Sequence, residues 1–355
     1  MIDKNYCMSS YLTFRYIEDP NKDFAEGIRH STDSVFNGGE KTLVWSAEDI
    51  AKAYKEAFDS KQDVNLGILL SGGMDSACLA AFMKPGSHAY TFRFLGGEYG
   101  NEDMKRAKLY ADKYHLQLHY VDIDWSVVER NLPVLMKRKG APVHSIEPQI
   151  MEGALQAKKD GVEMMVAADG SDLVFGGMDR MLSREWDFDD WIQFYTFCKP
   201  ESVLKEPVSM QYLFERYRLP DNKIDYLRFI EEVFGFESSG SYCNAFICAD
   251  MKYKPFFDPS GMVKMAEPLD LKRVRSGESK YLIRELFKMC YPEIPVPEKI
   301  PMPRPVDAYF KNWTGPIRPE FKQDLDLSTF TGNQKWQIWC LERFLNMIDG
   351  GELWQ

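Results

Sequence analysis

The chain contains 355 residues, of which 45% are hydrophobic and 28% are charged, as in folded globular proteins and unlike disordered chains. Lysine and arginine number 44 against 54 aspartates and glutamates, so the formal net charge is −10. This acidic balance gives no general attraction to phosphate backbones or anionic lipid, and we do not expect nucleic acid as a partner. The length predicts about two domains.

The sequence has no features of a membrane or exported protein. None of its apolar runs approaches the ~18 residues of a membrane-spanning helix, so we expect no membrane partner. The N-terminal stretch lacks the basic region and the apolar run of a signal peptide. These observations predict a cytoplasmic location.

Cysteine and histidine follow no metal-site pattern. The seven cysteines are scattered and never spaced as Cys-x-x-Cys, which predicts reduced, mostly buried thiols. His115 and His119 are four residues apart, but their neighbours alternate like a strand, in which the two would be about 13 Å apart. We therefore do not expect a structural zinc site.

The first 60 residues have a mixed pattern. Residues Tyr11–Ile17 alternate like a strand, Asp19-Pro20-Asn21 predicts a turn, and Gly38-Gly39 predicts a break. Ser46, with acidic residues two and three positions later, predicts the N-cap of a helix that begins near this residue.

After residue 60, short apolar runs alternate with helical patterns. The predicted strands are Val64–Leu70, His88–Phe94, Leu116–Ile123 and Glu163–Ala168, and the predicted helices are Ala77–Met83, Glu102–Tyr114 and Glu152–Lys159. This alternation predicts an α/β fold with a Rossmann-like parallel sheet flanked by helices. From Trp186 onward the chain is rich in aromatic residues and is predicted to be largely helical.

A glycine loop, Ser71-Gly72-Gly73-Met74-Asp75-Ser76, follows the first strand of the predicted sheet. The glycines allow successive N–H groups to converge on an anion, and two serines add hydroxyl donors. Asp75 would repel a bare phosphate, so its presence indicates a divalent cation with a nucleotide. The loop lacks the lysine of the common P-loop. The alternative is a tight strand-to-helix turn capped by serine and aspartate.

A second polar loop, Asp169-Gly170-Ser171-Asp172, follows the last predicted strand. The carboxyl ends of parallel strands meet at one edge of a sheet, and ligands of open α/β sheets bind at that edge. We therefore expect the two loops to face a common site.

These segments resemble the N-type ATP pyrophosphatases, and within that group the asparagine synthetase family. The glycine loop resembles their pyrophosphate loop, and Asp169–Gly177 resembles the family's Gly-Glu-Gly-Ser-Asp-Glu-Leu-Phe-Gly-Gly. Further matches follow in the same order as in the family: Pro255–Asp258 to Pro-Phe-Leu-Asp, Lys280–Arg284 to Lys-x-x-Leu-Arg, Lys299 to a lysine after Trp-Arg-Gln, and Trp336–Phe344 to the terminal Leu-Trp helix. The resemblance implies a Rossmann-like sheet of the HUP type.

The resemblance also implies a division of the chain. Residues 1–60 resemble the connector between glutaminase and synthetase domains, through Tyr11–Tyr16 and Phe24–Ile28, and residues 61–355 resemble the synthetase domain. The glutaminase nucleophile is an N-terminal cysteine, whereas position 2 is Ile2, so we expect a chain without the glutaminase domain. A separate glutaminase subunit is then a possible partner.

The implied activity is an ATP-dependent, AMP-forming amide ligase. Such an enzyme adenylates a small-molecule carboxylate, releases pyrophosphate, and transfers the acyl group to ammonia or another amine. The implied cofactors are ATP and Mg²⁺. The alternatives are a nucleoside- or tRNA-modifying enzyme of the same group and a non-catalytic or regulatory relative, which would have no physical need for Asp75, Asp172 and Lys299 together.

Roles carry over from the family residue by residue. Ser71, Gly72, Gly73, Asp75 and Ser76 are implied to hold the pyrophosphate, Asp75 and Asp172 to bind Mg²⁺, and Leu69, Phe94, Ala167 and Ala168 to contact adenosine. For Leu69 and Phe94, core packing is an equal alternative.

Three further residues are implied to act in catalysis. Lys299 occupies the position that stabilises charge on the α-phosphate, while Lys280 is expected to contact phosphate or to cap a helix. Asp169 either deprotonates the incoming amine or orders its loop.

The sequence also departs from the family. Leu173 replaces an acid, and Ala141-Pro142 stands where an acid usually precedes proline, so aspartate is a doubtful substrate. Several aromatic residues between Leu182 and Asn244 predict either helix core or the wall of an acceptor pocket: Trp186, Trp191, Phe194, Tyr195 and Phe197.

Overall fold

A computed structural model describes residues 1–32, 41–96, 101–255, 263–300 and 302–353. Its strands are β1 Thr42–Val44, β2 Leu66–Leu69, β3 His88–Phe94, β4 Gln117–Ile123, β5 Met164–Ala167, β6 Arg218–Leu219, β7 Lys223–Ile224, β8 Lys252–Pro255 and β9 Val263–Met265. Five of them form a sheet in the order β4-β3-β2-β5-β8, with every neighbouring pair parallel. The α/β fold with a Rossmann-like parallel sheet is therefore confirmed.

Helices surround this sheet and fill most of the C-terminal half. They are α1 Lys4–Phe14, α2 Ala47–Asp59, α3 Met74–Ala80, α4 Asn101–Lys113, α5 Trp125–Lys139, α6 Glu147–Lys159, α7 Ser171–Val174, α8 Asp179–Leu182, α9 Phe188–Tyr195, α10 Pro200–Val203, α11 Gln211–Phe214, α12 Tyr226–Phe229, α13 Gly235–Cys248, α14 Leu271–Arg275, α15 Tyr281–Cys290, α16 Val306–Tyr309 and α17 Gly332–Asp349. A π-helical turn, Ile230–Phe234, joins α12 to α13. In the part of the chain that the structure describes, none of the helices is both long and apolar enough to cross a lipid bilayer.

Alternation along the strands gives the sheet two apolar faces. In β2 and the residue after it, Leu66, Ile68 and Leu70 belong to one core cluster, whereas Leu69 belongs to the other. Helices α2, α3, α4 and α15 contribute to the first cluster, and α1, α5, α6, α13 and α17 to the second. Because both faces are covered, the central strands β2 and β5 carry no polar side chain.

The predicted strands coincide with β2, β3, β4 and β5, with bounds that shift by no more than a few residues. Several elements differ from the prediction, and three of them belong to or flank the central sheet. Helix α3 begins at Met74 rather than Ala77, helix α5 was missed, and β8 adds a fifth strand within the stretch predicted to be helical. The motif that begins at Pro255 is described only for that residue, because residues 256–258 lie outside the described ranges.

The first helix corrects the strand predicted for Tyr11–Ile17. Helix α1 is capped by Asp3, whose side chain accepts a hydrogen bond from the Tyr6 amide, and it ends at Arg15 in the left-handed conformation. It contacts α10 and α17, and its residues from Tyr6 to Phe14 are all buried. A helix buried on every side shows no polar face, so its apolar pattern was mistaken for strand alternation.

The other local predictions for the N-terminal segment are confirmed where they can be compared. The Asn21 amide donates to Asp19 Oδ1 at 2.9 Å in the predicted turn. Ser46 and Asp49 form a reciprocal capping box at the start of α2. The Gly38-Gly39 break lies outside the described residues.

All seven cysteines lie within the described ranges, and none forms a disulfide bond. The histidines are less dispersed than expected, because adjacent strands bring two of them together. His88 Nδ1 lies 2.9 Å from His119 Nε2, and His119 Nδ1 lies 3.6 Å from Asp160 Oδ2. These three side chains are close enough to share a metal ion. Sequence spacing does not reveal such a group, since the two histidines lie on paired strands and Asp160 lies at the end of helix α6.

The strand order creates a crevice at the centre of the sheet. Strands β3 and β4 lie on one side of β2, while β5 and β8 lie on the other. The chain therefore reverses direction across the sheet between β2 and β5, and the loops after these two strands flank the switch point. Both polar loops singled out in the sequence follow these strands.

One prediction concerns the contact between the N-terminal helix and the C-terminal part. Glu320 accepts hydrogen bonds from Lys4 Nζ at 2.9 Å and Arg318 Nη2 at 2.8 Å. Burial alone would raise the pKa of Glu320, but Arg318 and Lys4 outweigh it and lower the pKa to about 2. Its folded-state pKa is thus below the ordinary value, so the contact stabilises the protein at neutral pH and is lost as pH falls toward 2.

We expect Glu320→Gln to lower the free energy of unfolding at pH 7 by about 2 kcal/mol. This figure already includes a reduction for solvent screening, because Lys4 is partly exposed. The difference from wild type should shrink steadily between pH 5 and pH 3. Urea denaturation at several pH values measures it, with the exposed Glu201→Gln as a control. A difference that is independent of pH would contradict the assignment.

Candidate active site

A cavity of about 740 Å³ opens at the carboxyl edge of the sheet, over the switch point. Ten of the residues singled out in the sequence line it: Leu69, Ser71, Gly73, Asp75, Ser76, Ala167, Ala168, Asp172, Lys280 and Lys299. Gly72, Phe94 and Asp169 lie outside its lining. The structure therefore gathers most of the predicted residues around one space.

The glycine loop is a compact turn tied by its own serines. Ser71 Oγ accepts a hydrogen bond from the Gly73 amide at 3.1 Å and lies 3.0 Å from Ser76 Oγ. The Ser76 hydroxyl also reaches the carbonyls of Ser71 and Gly73 at 3.1 and 3.2 Å. Internal bonds of this kind fix the loop in one conformation before any ligand binds.

Gly72 allows the loop to approach helix α4. A Cβ atom at this position would lie 2.5 Å from Cα of Asp103 and 2.8 Å from its carbonyl oxygen. Gly72 thus positions the loop rather than lining the cavity. Asp103 itself lines the cavity, and burial raises its pKa despite the opposing charge of Arg106. The sequence analysis missed Asp103, which lies within an ordinary helical pattern.

The two predicted metal ligands meet at the ammonium group of Lys280. Lys280 Nζ lies 2.6 Å from Asp75 Oδ2 and 2.5 Å from Asp172 Oδ1. The Ser171 hydroxyl donates to Asp75 Oδ1 at 2.5 Å, which links the two loops directly. Lys299 Nζ reaches Asp172 Oδ1 at 3.1 Å and the Gly177 carbonyl at 2.7 Å. Two carboxylates and two ammonium groups therefore form one cluster.

The charges of this cluster stabilise one another. Burial would raise the pKa of Asp172, but Lys280 and Lys299 outweigh it and hold the pKa below its ordinary value. Burial would lower the pKa of Lys280, but Asp75 and Asp172 outweigh it and raise the pKa. The ammonium of Lys280 is consequently protonated at neutral pH, and Asp172 is ionised.

The two lysines occupy different environments. Lys280 is only 5% exposed and starts α15 in the left-handed conformation, with φ of 53°. Its side chain makes no capping bond to the helix, so the helix-cap role suggested by the sequence is not observed. The Lys299 side chain is 46% exposed and can follow a ligand in the cavity.

Gly177 makes room for the cluster. A Cβ atom there would lie 2.0 Å from Asp172 Oδ1 and 2.1 Å from Lys280 Cε. The Gly-Gly pair after the second polar loop thus has a steric function, since only a residue without a side chain lets the backbone approach the carboxylate and the lysine.

The donor set fits a hard divalent cation. One carboxylate oxygen of Asp75 and one of Asp172 converge, and both lie within hydrogen-bond distance of Lys280 Nζ. Mg²⁺ in proteins is bound by one or two carboxylates together with the phosphates of its nucleotide. These two aspartates are therefore suitable Mg²⁺ ligands.

Three of the four residues assigned by resemblance to adenosine lie on the cavity wall. Leu69, Ala167 and Ala168 line the cavity beside the glycine loop. Phe94 does not, because it is buried in the core, and the aromatic residues of β3 that line the cavity are Tyr90 and Phe92. Core packing is thus the role observed for Phe94.

Asp169 lies behind the cavity wall. It is buried, and its Oδ1 accepts a hydrogen bond from the Tyr253 hydroxyl of β8. The ring of Tyr253 stacks on Phe246 with centroids 4.4 Å apart. This contact connects the second polar loop to the edge strand β8. It agrees with the alternative that Asp169 orders its own loop.

The aromatic residues after Leu182 divide between the two predicted roles. Trp186, Trp191 and Tyr195 belong to the core. Phe194 instead lines the cavity, with the Arg180 guanidinium 5.4 Å from its ring centroid. The helix α9 that carries Trp191 to Tyr195 thus serves both as core and as cavity wall.

The cavity continues into a polar wall that the sequence analysis missed. It is formed by Arg15, His144, Glu237 and Arg304. These residues come from the end of α1, the segment before α6, helix α13 and the proline-rich stretch. No local motif joins them, so only the fold reveals the group.

Comparison with known proteins agrees with this arrangement. The sequence model of the family named Asparagine synthase matches residues 49–233, which are more than half of the chain. The chain belongs to the asparagine synthase family. The matched region includes the glycine loop and the second polar loop, and thus both aspartates of the cluster.

Curated relatives match over shorter segments. A glutamine-hydrolyzing asparagine synthetase of Asparagus officinalis is 29% identical over 143 residues, which cover 36% of this chain and 24% of the relative. Glutamine-hydrolyzing asparagine synthetase 2 of Bacillus subtilis (strain 168) is 37% identical over 81 residues, 21% of this chain and 11% of that protein. The chain thus matches a quarter or less of the length of these two family members.

Among solved structures, the NMN synthetase of Francisella tularensis aligns with 73% of this chain and 99% of its own, at 10% identity and a TM-score of 0.29. The U34-tRNA thiolase of Methanococcus maripaludis aligns with 75% of this chain and 89% of its own, at 14% identity and a TM-score of 0.23.

The steric role of Gly177 can be tested by one methyl group. We expect Gly177→Ala to displace Asp172 and Lys280 from each other and to weaken binding of Mg²⁺-ATP at least about tenfold, while the fold persists because only side chains must move. Isothermal titration calorimetry measures the binding, and circular dichroism the fold. Gly350→Ala, at the end of α17 with φ of −77°, is the control. Unchanged binding would show that the cluster tolerates displacement.

Proposed function

We propose that this protein is an ATP-dependent, AMP-forming amide ligase, which adenylates a small-molecule carboxylate and transfers the acyl group to ammonia or another amine. Two facts support this proposal: the chain belongs to the asparagine synthase family, and its cavity contains the following cluster of charges. Two aspartates from the loops after adjacent parallel strands converge beside a glycine loop, together with two lysines. These four charges sum to zero, so a bound Mg²⁺ would make the site positive, as a nucleoside triphosphate requires.

The reaction has two steps. A carboxylate oxygen of the acid attacks the α-phosphorus of ATP, the bond between the α-phosphorus and its bridging oxygen breaks, and pyrophosphate leaves with the electron pair. The amine nitrogen then attacks the acyl carbon, AMP leaves, and the amine loses a proton. Both steps depend mainly on positioning and on stabilising developing negative charge.

The glycine loop would receive the pyrophosphate. Its turn is already tied by Ser71 and Ser76, so the backbone N–H groups need little rearrangement on binding. Asp75 and Asp172 would hold Mg²⁺, which neutralises phosphate charge when bound. Since Lys280 remains close to both aspartates, it would hold their carboxylates in place and add positive charge at the pyrophosphate.

Lys299 is suited to the adenylation step. Its ammonium lies at the edge of the cluster, and its side chain is half-exposed. The preceding residue is held in place, because the Glu298 carbonyl accepts a hydrogen bond from Arg106 at 3.1 Å. A compact cation there can stabilise the charge that develops on the α-phosphate.

The second step needs an acceptor for the amine proton. Asp169, which directly follows the cavity-lining Ala168, is our candidate for the general base; to reach the amine, its carboxylate would have to exchange the hydrogen bond from Tyr253 for one from the substrate. The amine is ammonia or a metabolite amine, and a separate glutaminase subunit is a possible source of ammonia.

Exchange of labelled pyrophosphate into ATP tests the first step without knowledge of the amine. With Mg²⁺ and a panel of carboxylic acids, we expect exchange that depends on the acid. Asp75→Asn and Asp172→Asn should reduce it about 100-fold or more, because each removes a metal ligand and a charge. Asp112→Asn, in an exposed ion pair on α4, serves as the control.

Either of two results would contradict the proposal. If both aspartate variants exchange pyrophosphate at the wild-type rate, Asp75 and Asp172 do not bind the metal of this reaction. Absence of Mg²⁺-dependent ATP binding by the wild-type protein would favour a non-catalytic relative.

The two lysines should differ in what their loss affects. Lys299→Gln should lower the exchange rate about 100-fold with little change in ATP affinity or stability, because it acts on developing charge. Lys280→Gln should also lower the melting temperature, because it removes a buried ammonium and leaves two partly exposed carboxylates facing each other. Exchange kinetics, calorimetry and thermal denaturation separate the two. Equal stability of both variants would contradict the structural role of Lys280.

A further inference from the structure

Two imidazoles and a carboxylate meet near the amino end of the sheet, away from the glycine loop. His88 begins β3, His119 lies on the edge strand β4, and Asp160 is the C-cap residue of α6. All three lie outside the lining of the cavity at the carboxyl edge. One potential ligand atom of each residue lies within 4.8 Å of those of the other two. Three separate elements thus present nitrogen and oxygen donors to one place.

The strand register places the two histidines on one face of the sheet. His119 pairs with Tyr90, and His88 precedes Tyr90 by two residues on β3, so the three side chains point to the same side. The ring of Tyr90 stacks on that of His119 with centroids 4.9 Å apart. His88 Nδ1 lies 2.9 Å from His119 Nε2, and the two rings are inclined by 21°. The imidazoles are therefore held with a nitrogen of each facing the other.

The carboxylate of Asp160 is oriented by two other side chains. The Tyr90 hydroxyl donates to Oδ2 at 3.0 Å, and Gln156 Nε2 lies 3.2 Å from both carboxylate oxygens. Hydrogen bonds from outer residues fix the carboxylates of metal sites in the same way. The orientation of Asp160 is thus set before an ion binds.

The spacing of His119 and Asp160 suits a shared ion better than a direct bond. His119 Nδ1 is 3.6 Å from Asp160 Oδ2, beyond hydrogen-bond distance. Two ligands of a tetrahedral zinc ion, with bonds of about 2.0–2.1 Å, lie roughly 3.3 Å apart. Burial lowers the pKa of His119 despite the opposing charge of Asp160, so the neutral ring, which is the form that binds metals, prevails at neutral pH.

The donor set selects zinc over magnesium. Imidazole nitrogen is a ligand of zinc and related transition metals, whereas Mg²⁺ prefers oxygen donors throughout. Three protein ligands leave the fourth position of a tetrahedral zinc site for water. The side chains of His119 and Asp160 are 29% and 22% exposed, so an ion can enter from solvent.

We propose that His88, His119 and Asp160 form a zinc site that joins strands β3 and β4 to helix α6. One nitrogen of each imidazole and one carboxylate oxygen hold the ion. Binding requires the ring of His119 to turn, because its two nitrogens now face different residues. The bound ion stabilises the edge of the sheet, and the site does not depend on the proposed ligase reaction.

Calorimetric titration of the EDTA-treated protein with zinc chloride tests the proposal, with Mg²⁺ in excess to occupy sites made of carboxylates alone. We expect one zinc ion per chain. The melting temperature should rise by about 3 °C or more at a zinc concentration about 100 times the Kd. His119→Gln and Asp160→Asn should each weaken binding at least about 100-fold, because each removes a ligand.

Two further variants serve as a control and as a graded test. His115→Asn is the matched control: it removes an exposed imidazole four residues from His119, and asparagine tolerates its left-handed backbone, with φ of 54°. It should bind zinc as the wild-type protein does. Tyr90→Phe removes a hydrogen bond to Asp160 but no ligand, and should weaken binding about tenfold.

The wild-type protein allows a second measurement that does not depend on the folding of any variant. Zinc should shift the NMR signals of the ring nitrogens of His88 and His119 and leave those of His115 unchanged. Co²⁺, added in place of zinc, should give the visible spectrum of nitrogen and oxygen ligands, without the charge-transfer band of a thiolate.

Four results would overturn the proposal. They are absence of zinc binding by the wild-type protein, binding that neither His119→Gln nor Asp160→Asn weakens, a thiolate band with Co²⁺, and zinc-induced shifts confined to other histidines. A variant that melts at a lower temperature but binds zinc with wild-type affinity shows a purely structural role for its residue, which also contradicts the site. Pyrophosphate exchange enters none of these outcomes, so the ligase proposal is tested separately.

Discussion

Asp75 and Asp172 project from the loops that follow two adjacent parallel strands, and the ammonium of Lys280 lies at hydrogen-bond distance from both. Two carboxylates at this separation repel each other unless a cation lies between them. The glycines around them serve that contact: Gly72 lets the first loop approach helix α4, and Gly177 leaves room for the carboxylate and the lysine. The cavity forms around this arrangement.

The cations of the cavity are supplied by parts of the chain that are distant in sequence. Lys280 and Arg15 both have left-handed backbone, at the start of α15 and at the end of α1, and both helices are anchored in the cores beside the sheet. Residues with side chains adopt this conformation only where the surrounding packing compensates for its cost. Lys280 pairs with two aspartates, whereas Arg15 pairs with Glu237 of α13.

Sequence patterns predicted the central strands and both loops, since a buried parallel strand is a short apolar run and a glycine loop follows it directly. These patterns are misleading for an element that is buried on all sides, because it has no polar face to set its period. Helix α1 is buried all round and was mistaken for a strand, and β8 was missed within a stretch that is otherwise helical. Phe94 has the apolar character expected of an adenosine contact, but it is buried in the core, and Tyr90 and Phe92 line the cavity instead.

The fold class, the family and the two aspartates with their glycine loops could be predicted from the chain, because they depend on local patterns and short motifs. Three contacts could not be predicted in this way: Lys280 between the aspartates, His88 against His119, and the wall formed by Arg15, His144, Glu237 and Arg304. Each of these groups joins residues separated by tens to hundreds of positions. Their contacts depend on strand order and helix packing, which bring distant segments together without leaving a local pattern in the chain.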